Sequence, residues 1–340
     1  MAGHEKMKRT FFITGTDTGV GKTIVTYALG LAFRKKGYDV GIMKPVQSYG
    51  NDAAFLKQKL GVSDRLDEIN PYFAKEPLSP HIAFQREKMK VSLPHLLEVH
   101  SRLARKHDVL LVEGAGGLMV PLSEECMMID LIRSLNAEVI VVARLGLGTI
   151  NHTLLTVQQA RHHGLTVAGV IFNSTEKIKP GIAEKTNPEA VRKFGKVKIL
   201  GILPYLKTFN ERSLEKTVKE LDLEPLLKAE SPKERTKVLT QWDKHFIWHP
   251  FTQMKDWNAE DQLIIERAEG NYLYDTAGNK YLDGVSSLWV NVHGHAKKAI
   301  NDAIHYQVNK LDHSTLLGLS NSPAVELAKE LISIAPKGLK

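Results

Sequence analysis

The stretch Phe12-Ile-Thr-Gly15-Thr16-Asp17-Thr18-Gly19-Val20-Gly21-Lys22-Thr23 concentrates the residue types that handle phosphate. An apolar run enters a glycine-rich loop, and Gly-Lys-Thr opens a helical pattern. In such an arrangement backbone N–H groups and a helix N-terminus surround phosphate oxygens. Lys22 neutralises the terminal phosphate charge and the Thr23 hydroxyl binds magnesium. Five residues separate Gly15 from Gly21, one more than in the usual loop, so a strand–helix turn with a chance Gly-Lys-Thr is the plainer alternative. The strand before and the helix after favour phosphate. Lys44 ends Gly41-Ile-Met-Lys44, where Pro45 stops the ladder. It either projects toward the same phosphates or is a solvated strand-end lysine. Glu113 closes the apolar run from Val109, just before Gly114-Ala115-Gly116-Gly117. A carboxylate there can hold Mg²⁺, and the glycines let backbone approach a ligand closely. Asp52 is a plausible second oxygen ligand, but aspartate is also a preferred helix N-cap, and residue preference favours the cap.

These residues need elements that bring strand ends together. Runs at Thr10–Thr14, Val40–Lys44, Val109–Glu113, Val139–Ala143, Val167–Phe172 and Ile199–Leu203 are nearly continuously apolar, as strands buried on both faces of a parallel sheet must be. Helical patterns such as Thr23–Lys36 lie between them. The alternation predicts a doubly wound α/β domain of the P-loop NTPase type, mostly parallel, with ligands beyond the carboxyl ends of the strands. Hydrophobic residues at 43% and charged residues at 25% exclude a disordered or fibrous chain. No apolar run is long enough for a membrane span, and no signal-peptide pattern opens the chain. The single cysteine, Cys126, fits a reducing compartment, so a cytoplasmic protein is expected. The net charge of +8 is dispersed rather than striped, which argues against nucleic acid and suits phosphate-bearing small molecules.

The motifs together resemble the ATP-dependent dethiobiotin synthetases over residues 8 to about 226. The resemblance is carried by Gly-Thr-Asp-Thr-Gly-Val-Gly-Lys-Thr at 15–23, Lys-Pro-Val at 44–46 and Glu-Pro-Leu-Ser-Pro-His at 76–81. Val-Glu-Gly-Ala-Gly-Gly at 112–117 and Gly-Thr-Ile-Asn-His at 148–152 complete it. The longer loop spacing is that family's own form. The resemblance implies a homodimer that makes dethiobiotin from 7,8-diaminopelargonic acid, CO₂ and ATP with Mg²⁺. It makes Lys44 the catalytic lysine, with Lys22 beside it, and puts Thr18, Lys22 and Ser48 at the diamine and carbamate. It implies that ATP meets Thr18 to Thr23, including Gly19, Val20 and Gly21, and Gly114, Ala115 and Gly116. Asn173, Ser174, Pro204, Tyr205 and Leu206 would meet adenine. Thr23, Asp52 and Glu113 would hold magnesium, and Leu147 and Asn151 would reach the substrate carboxylate across the dimer. Gly19 stands where some relatives carry an acidic residue.

Residues 227–243 read as a polar linker containing Ser231-Pro232. Beyond it, residues 244–340 resemble the start of a class III aminotransferase, closest to the diaminopelargonate aminotransferases. The likeness rests on His245-Phe-Ile-Trp-His-Pro-Phe-Thr-Gln-Met254, Tyr281-Leu-Asp-Gly-Val-Ser-Ser-Leu-Trp289 and Val292-His-Gly-His295. Phe251 stands where several relatives have tyrosine. The 97 residues contain no Schiff-base lysine in its context and no phosphate loop, so no pyridoxal phosphate is expected. Two further readings are a bifunctional enzyme whose chain continues, and a nucleotide switch of the partitioning-ATPase kind.

Overall fold

The strand β1 (Arg9–Gly15) is apolar at almost every position and is buried on both faces. From it the chain runs through α1 (Lys22–Lys35), β2 (Val40–Met43), the short β3 (Val46–Ser48), α2 (Asp52–Leu60), α3 (Leu66–Ile69) and β4 (Tyr72–Ala74). It continues through α4 (Pro80–Arg86), α5 (Leu93–Lys106), β5 (Val109–Glu113), α6 (Met128–Ser134), β6 (Glu138–Ala143) and α7 (Thr149–His162). β7 (Val167–Asn173), α8 (Ile182–Gly195), β8 (Ile199–Leu203) and α9 (Glu224–Leu227) follow. The structure, a computed structural model, describes residues 8–177, 179–208, 213, 218–227 and 232–339.

Six strands form one parallel sheet in the order β2-β5-β1-β6-β7-β8. Alternate side chains feed two separate cores. Phe12, Met43, Leu110, Val112, Val141 and Phe172 enter one, while Phe11, Ile13, Ile42, Leu111, Ile140 and Ile171 enter the other. This period of two, apolar in both phases, is why each strand reads as an unbroken apolar run. β1 lies between β5 and β6: the chain leaves it through α1 toward β2 on one side and later crosses it from β5 to β6, a reversal of strand order at which a crevice opens at the carboxyl ends. The six strands fall within a residue or so of their expected positions. Lys44 is one residue past the end of β2, and its N–H donates to the Ile69 carbonyl at 2.7 Å. The two-stranded parallel sheet of β3 and β4, which joins Gln47 to Phe73, has no counterpart in the sequence reading.

The chain divides into two compact units, Met1–Ala229 and Glu230–Lys340. Where the sequence reading has a linker over 227–243, the structure has a helix from Pro232, α10 (Pro232–Phe246), within the second unit; residues 228–231 lie outside the described ones. Buried Asp243 explains the order of this polar segment: its carboxylate accepts from His249 Nε2 at 3.0 Å and from Trp257 Nε1 at 2.8 Å. Lys244 Nζ donates to the Asn258 and Glu260 carbonyls at the end of α11 (Met254–Ala259). The strands β9 (Ile265–Glu269), β10 (Tyr272–Asp275) and β11 (Lys280–Leu282) form an antiparallel sheet in the order β11-β10-β9. A tight turn joins β10 to β11. Asp275 holds it by accepting from the Ala277 and Asn279 N–H groups, the Asn279 amide and the Tyr281 hydroxyl. A turn at Ser286–Trp289 has four successive positive φ values, 50°, 47°, 65° and 70°, a conformation L-residues adopt only at a cost. Two helices, α12 (Lys298–Lys310) and α13 (Ser322–Ile334), follow without a buried residue in either.

Candidate active site

Three strand ends converge on a cleft of about 630 Å³ in the first unit. The loop after β1 brings Thr18, Gly19, Gly21, Lys22 and Thr23, the end of β2 brings Lys44, and the end of β5 brings Glu113, Ala115 and Gly116. The loop needs its glycines for different reasons. Gly21 has φ +88°, and a Cβ there would lie 2.1 Å from the Asn173 amide nitrogen. Gly15 allows close approach: a Cβ would meet the Asp17 carbonyl at 2.6 Å and Lys22 Nζ at 3.0 Å. Gly15 N–H in turn donates to the Gly116 carbonyl at 3.2 Å, tying the two loops together.

The charges in the cleft are arranged around Lys44. Its buried ammonium pairs with Glu113, bonds Asp52 Oδ2 at 2.8 Å and approaches the Gly114 carbonyl at 3.4 Å. Burial opposes charging of this lysine, but the two carboxylates outweigh it and hold the ammonium above its ordinary pKa. Lys22 has no such partners. Burial, then the nearby Lys44, lower its pKa to about 8, and among the described residues its Nζ bonds only the Asp17 carbonyl, at 3.3 Å. A buried ammonium so poorly compensated is what an incoming anion satisfies.

Glu113 is fully buried, with Oε1 accepting from Thr23 Oγ1 at 2.9 Å and Oε2 facing no hydrogen-bond partner among the described residues. An orphaned carboxylate oxygen beside a hydroxyl and a second carboxylate, Asp52, is a hard oxygen donor set that fits a small divalent cation. Asp52 is not the helix cap that residue preference favours. Asn51 occupies that position without a side-chain bond, and Asp52, the first residue of α2, turns its carboxylate to Lys44.

Ser48 also lines the cleft, its hydroxyl donating to the Leu78 carbonyl at 2.6 Å. Gln47, Tyr49 and Val120 line it as well and were not singled out by sequence; so does the Pro77–Pro80 segment, part of the 76–81 motif that the sequence reading placed in no site. The nearest signal for Gln47 is its place in Lys-Pro-Val-Gln-Ser. Val20 is buried beneath the loop, and its carbonyl accepts from Asn173 Nδ2 at 2.9 Å. Asn173 is paired in register with Leu203, so Ser174 and the Pro204-Tyr205-Leu206 segment follow at adjacent strand ends, outside the main cleft. Leu147 and Asn151 do not line the cleft either: both are exposed, Leu147 at 96%, at the turn leading into α7 and on its first turn.

Residues 9–213 match the AAA domain family, and residues 254–339 match the class III aminotransferases. The ATP-dependent dethiobiotin synthetase of Thermodesulfovibrio yellowstonii is 42% identical over 238 residues, covering 65% of this chain and 99% of that protein. The chain belongs to the dethiobiotin synthetase family. Synthetases of Bacillus velezensis and Methanococcus vannielii are 40% and 42% identical, over 62% and 58% of this chain and 93% and 94% of theirs. The synthetase likeness thus coincides with the unit that holds the cleft.

The second unit has a different set of relatives. An adenosylmethionine-8-amino-7-oxononanoate aminotransferase from Methanocaldococcus jannaschii is 56% identical over 30% of this chain, with a TM-score of 0.30. A transaminase from a marine Virgibacillus is 36% identical over 30%, with a TM-score of 0.29. The chain spans about a quarter of the length of each of these two proteins. No helix among the described residues is long and apolar enough to cross a membrane.

Proposed function

We propose that this chain makes dethiobiotin from 7,8-diaminopelargonic acid, CO₂ and ATP, the first unit carrying the reaction. The observation that bears most weight is the meeting of buried Lys22, Lys44 and Glu113 with half-buried Thr23 in one cluster beside a glycine loop. One amine of the substrate takes up CO₂ and loses a proton to give a carbamate. A carbamate oxygen attacks the γ-phosphorus and ADP leaves. The second amine attacks the carbamate carbon, phosphate leaves, and the ureido ring closes.

Phosphoryl transfer needs little covalent help, but it needs in-line placement and positive charge on the equatorial oxygens. Lys22, at the start of α1, meets the terminal phosphate, and near neutral pH it carries its charge because its pKa stays about 8. Lys44 supplies a second cation to the transferring group. Thr18 and Ser48 orient the diamine and its carbamate, and Asn173, Ser174 and residues 204–206 take the adenine. Thr23, Asp52 and Glu113 would hold a magnesium ion, which would supply charge neutralisation of the phosphate oxygens. The exposure of Leu147 and Asn151 supports a homodimer in which they reach the diamine bound to the other subunit. We assign residues 1–226 to the synthetase and 244–340 to an aminotransferase-like segment, in a cytoplasmic protein.

The decisive measurement is mass-spectrometric detection of dethiobiotin after incubation with diamine, bicarbonate, ATP and Mg²⁺. Product above the diamine-free control is expected. ATP turnover with no dethiobiotin would point instead to the nucleotide-switch reading. The aminotransferase match over residues 254–339 favours a second reading, a bifunctional enzyme in which this segment belongs to a transaminase part.

A further inference from the structure

We infer that Arg144 is a positioning residue that couples the phosphate loop to the turn carrying Leu147, so that nucleotide and diamine bind cooperatively. The inference rests on the site reading given above. The turn between β6 and α7 is fixed by side chains at three successive carbonyls. Arg144 O accepts from Thr149 Oγ1 at 2.6 Å, Leu145 O from Asn187 Nδ2 at 2.7 Å, and Gly146 O from the same amide at 3.2 Å. Thr149 and Asn187 are both buried, so this turn moves with α7 and α8 rather than by itself.

From this fixed turn the Arg144 guanidinium reaches across to the nucleotide loop. Its Nη2 donates to the Thr18 carbonyl at 3.0 Å and pairs with Asp17 Oδ2 at 3.2 Å. Asp17 Oδ1 closes the arrangement by accepting from Thr18 N–H at 2.7 Å. The next residue, Gly19, has φ +74°, and among the described residues no atom beyond its chain neighbours lies within 4 Å of where a Cβ would stand. The loop is therefore open on one side and held by Arg144 on the other. Both partners of this ion pair are about half-exposed, and pairs of that kind add little to stability. Its consequence falls on loop orientation, not on the fold. Ordering the loop around phosphate and seating the diamine against Leu147 and Asn151 then favour one another, with equal force in both directions.

The test measures the dissociation constant of a non-hydrolysable ATP analogue with and without saturating diamine, in the intact protein and in Arg144→Ala, Arg144→Gln and Arg144→Lys. In the wild type the diamine should tighten the analogue roughly five- to tenfold, the lower part of the range for coupled sites. Arg144→Ala and Arg144→Gln should bring that ratio near one while moving analogue affinity alone by less than about threefold. Arg144→Lys should restore most of it. Should Arg144→Ala fail to fold, Arg144→Gln gives the same reading. A wild-type ratio of one, or an undiminished ratio in Arg144→Gln, overturns the coupling. A wild type that makes no dethiobiotin defeats the functional reading instead, whatever the ratio.

Discussion

The two units bury opposite kinds of residue. In the first, Phe11, Phe12, Ile13, Leu111 and Phe172 are fully buried on the two faces of one sheet, and the charged cleft sits at the edge of that core. In the second, the buried side chains among the described residues are polar: Asp243, Gln262, Asp275 and Thr276. Its large apolar residues, among them Trp248, Trp289, Val292 and Leu317, are mostly exposed. The first unit is held by apolar burial and spends part of that stability on a pair of buried lysines. The second is held by hydrogen-bond hubs around aspartates, whose net worth is only about 1 kcal/mol per bond. Both match a known enzyme family, so sequence likeness alone does not measure how well a segment supports itself.

The largest effect should come from the apolar core. Phe33 stacks on Phe11 with ring centroids 5.6 Å apart, at the far end of α1 from the nucleotide loop. Phe33→Ala should cost about 3–5 kcal/mol of first-unit stability by denaturant unfolding. Next comes the charged cleft: Lys44→Ala should lower the rate of dethiobiotin formation about 10²–10³-fold with the circular dichroism unchanged. A near-wild-type rate would remove Lys44 from the catalytic set.

A smaller effect has the opposite sign. Because the folded-state pKa of Lys22 is lowered to about 8 from 10.5, its charge destabilises the free protein at neutral pH. Below pH 8 the full penalty is present; as pH rises from about 8 to 10.5 the folded lysine is neutral while the unfolded one is still charged, and the penalty fades. Lys22→Met should therefore stabilise the ligand-free protein by about 1–3 kcal/mol at pH 7, with the advantage shrinking across that window. The same variant should lose synthetase activity. The smallest effect belongs to the second unit: Leu331→Ala, on an exposed face of α13, should stay within about 0.5 kcal/mol. A loss as large as that of Phe33→Ala would show that Leu331 packs in a core of its own, and the contrast between the units would fail.

The sheet was legible because strands buried on both faces carry an unbroken apolar signature, and with them came the strand-end positions of Lys44 and Glu113 and the loop-to-helix position of Lys22. What sequence left open depends on particular side-chain contacts, near or far along the chain. Asp52 reads as a cap until its carboxylate is seen to accept from Lys44, eight residues earlier, while Gln47 Oε1 of β3 accepts from the Ala53 N–H of α2; local preference encodes neither contact. Arg144 meets Asp17 across 127 residues, and no motif joins them. The order of α10 was hidden for a similar reason: its composition is polar, and the partners that fix Asp243 come from 249 and 257.

The trio of Lys44, Glu113 and Asp52 makes the cleft behave as an ion exchanger. In the protein by itself the ammonium is the counter-ion of two carboxylates. A triphosphate that draws the ammonium to itself strips those carboxylates of their neutralising partner, and the fully buried Glu113 is left facing the part-exposed Asp52 without a cation between them. Arrival of a divalent cation in the same event supplies one, so nucleotide and metal should enter as a charge-balanced pair, and nucleotide alone should bind weakly.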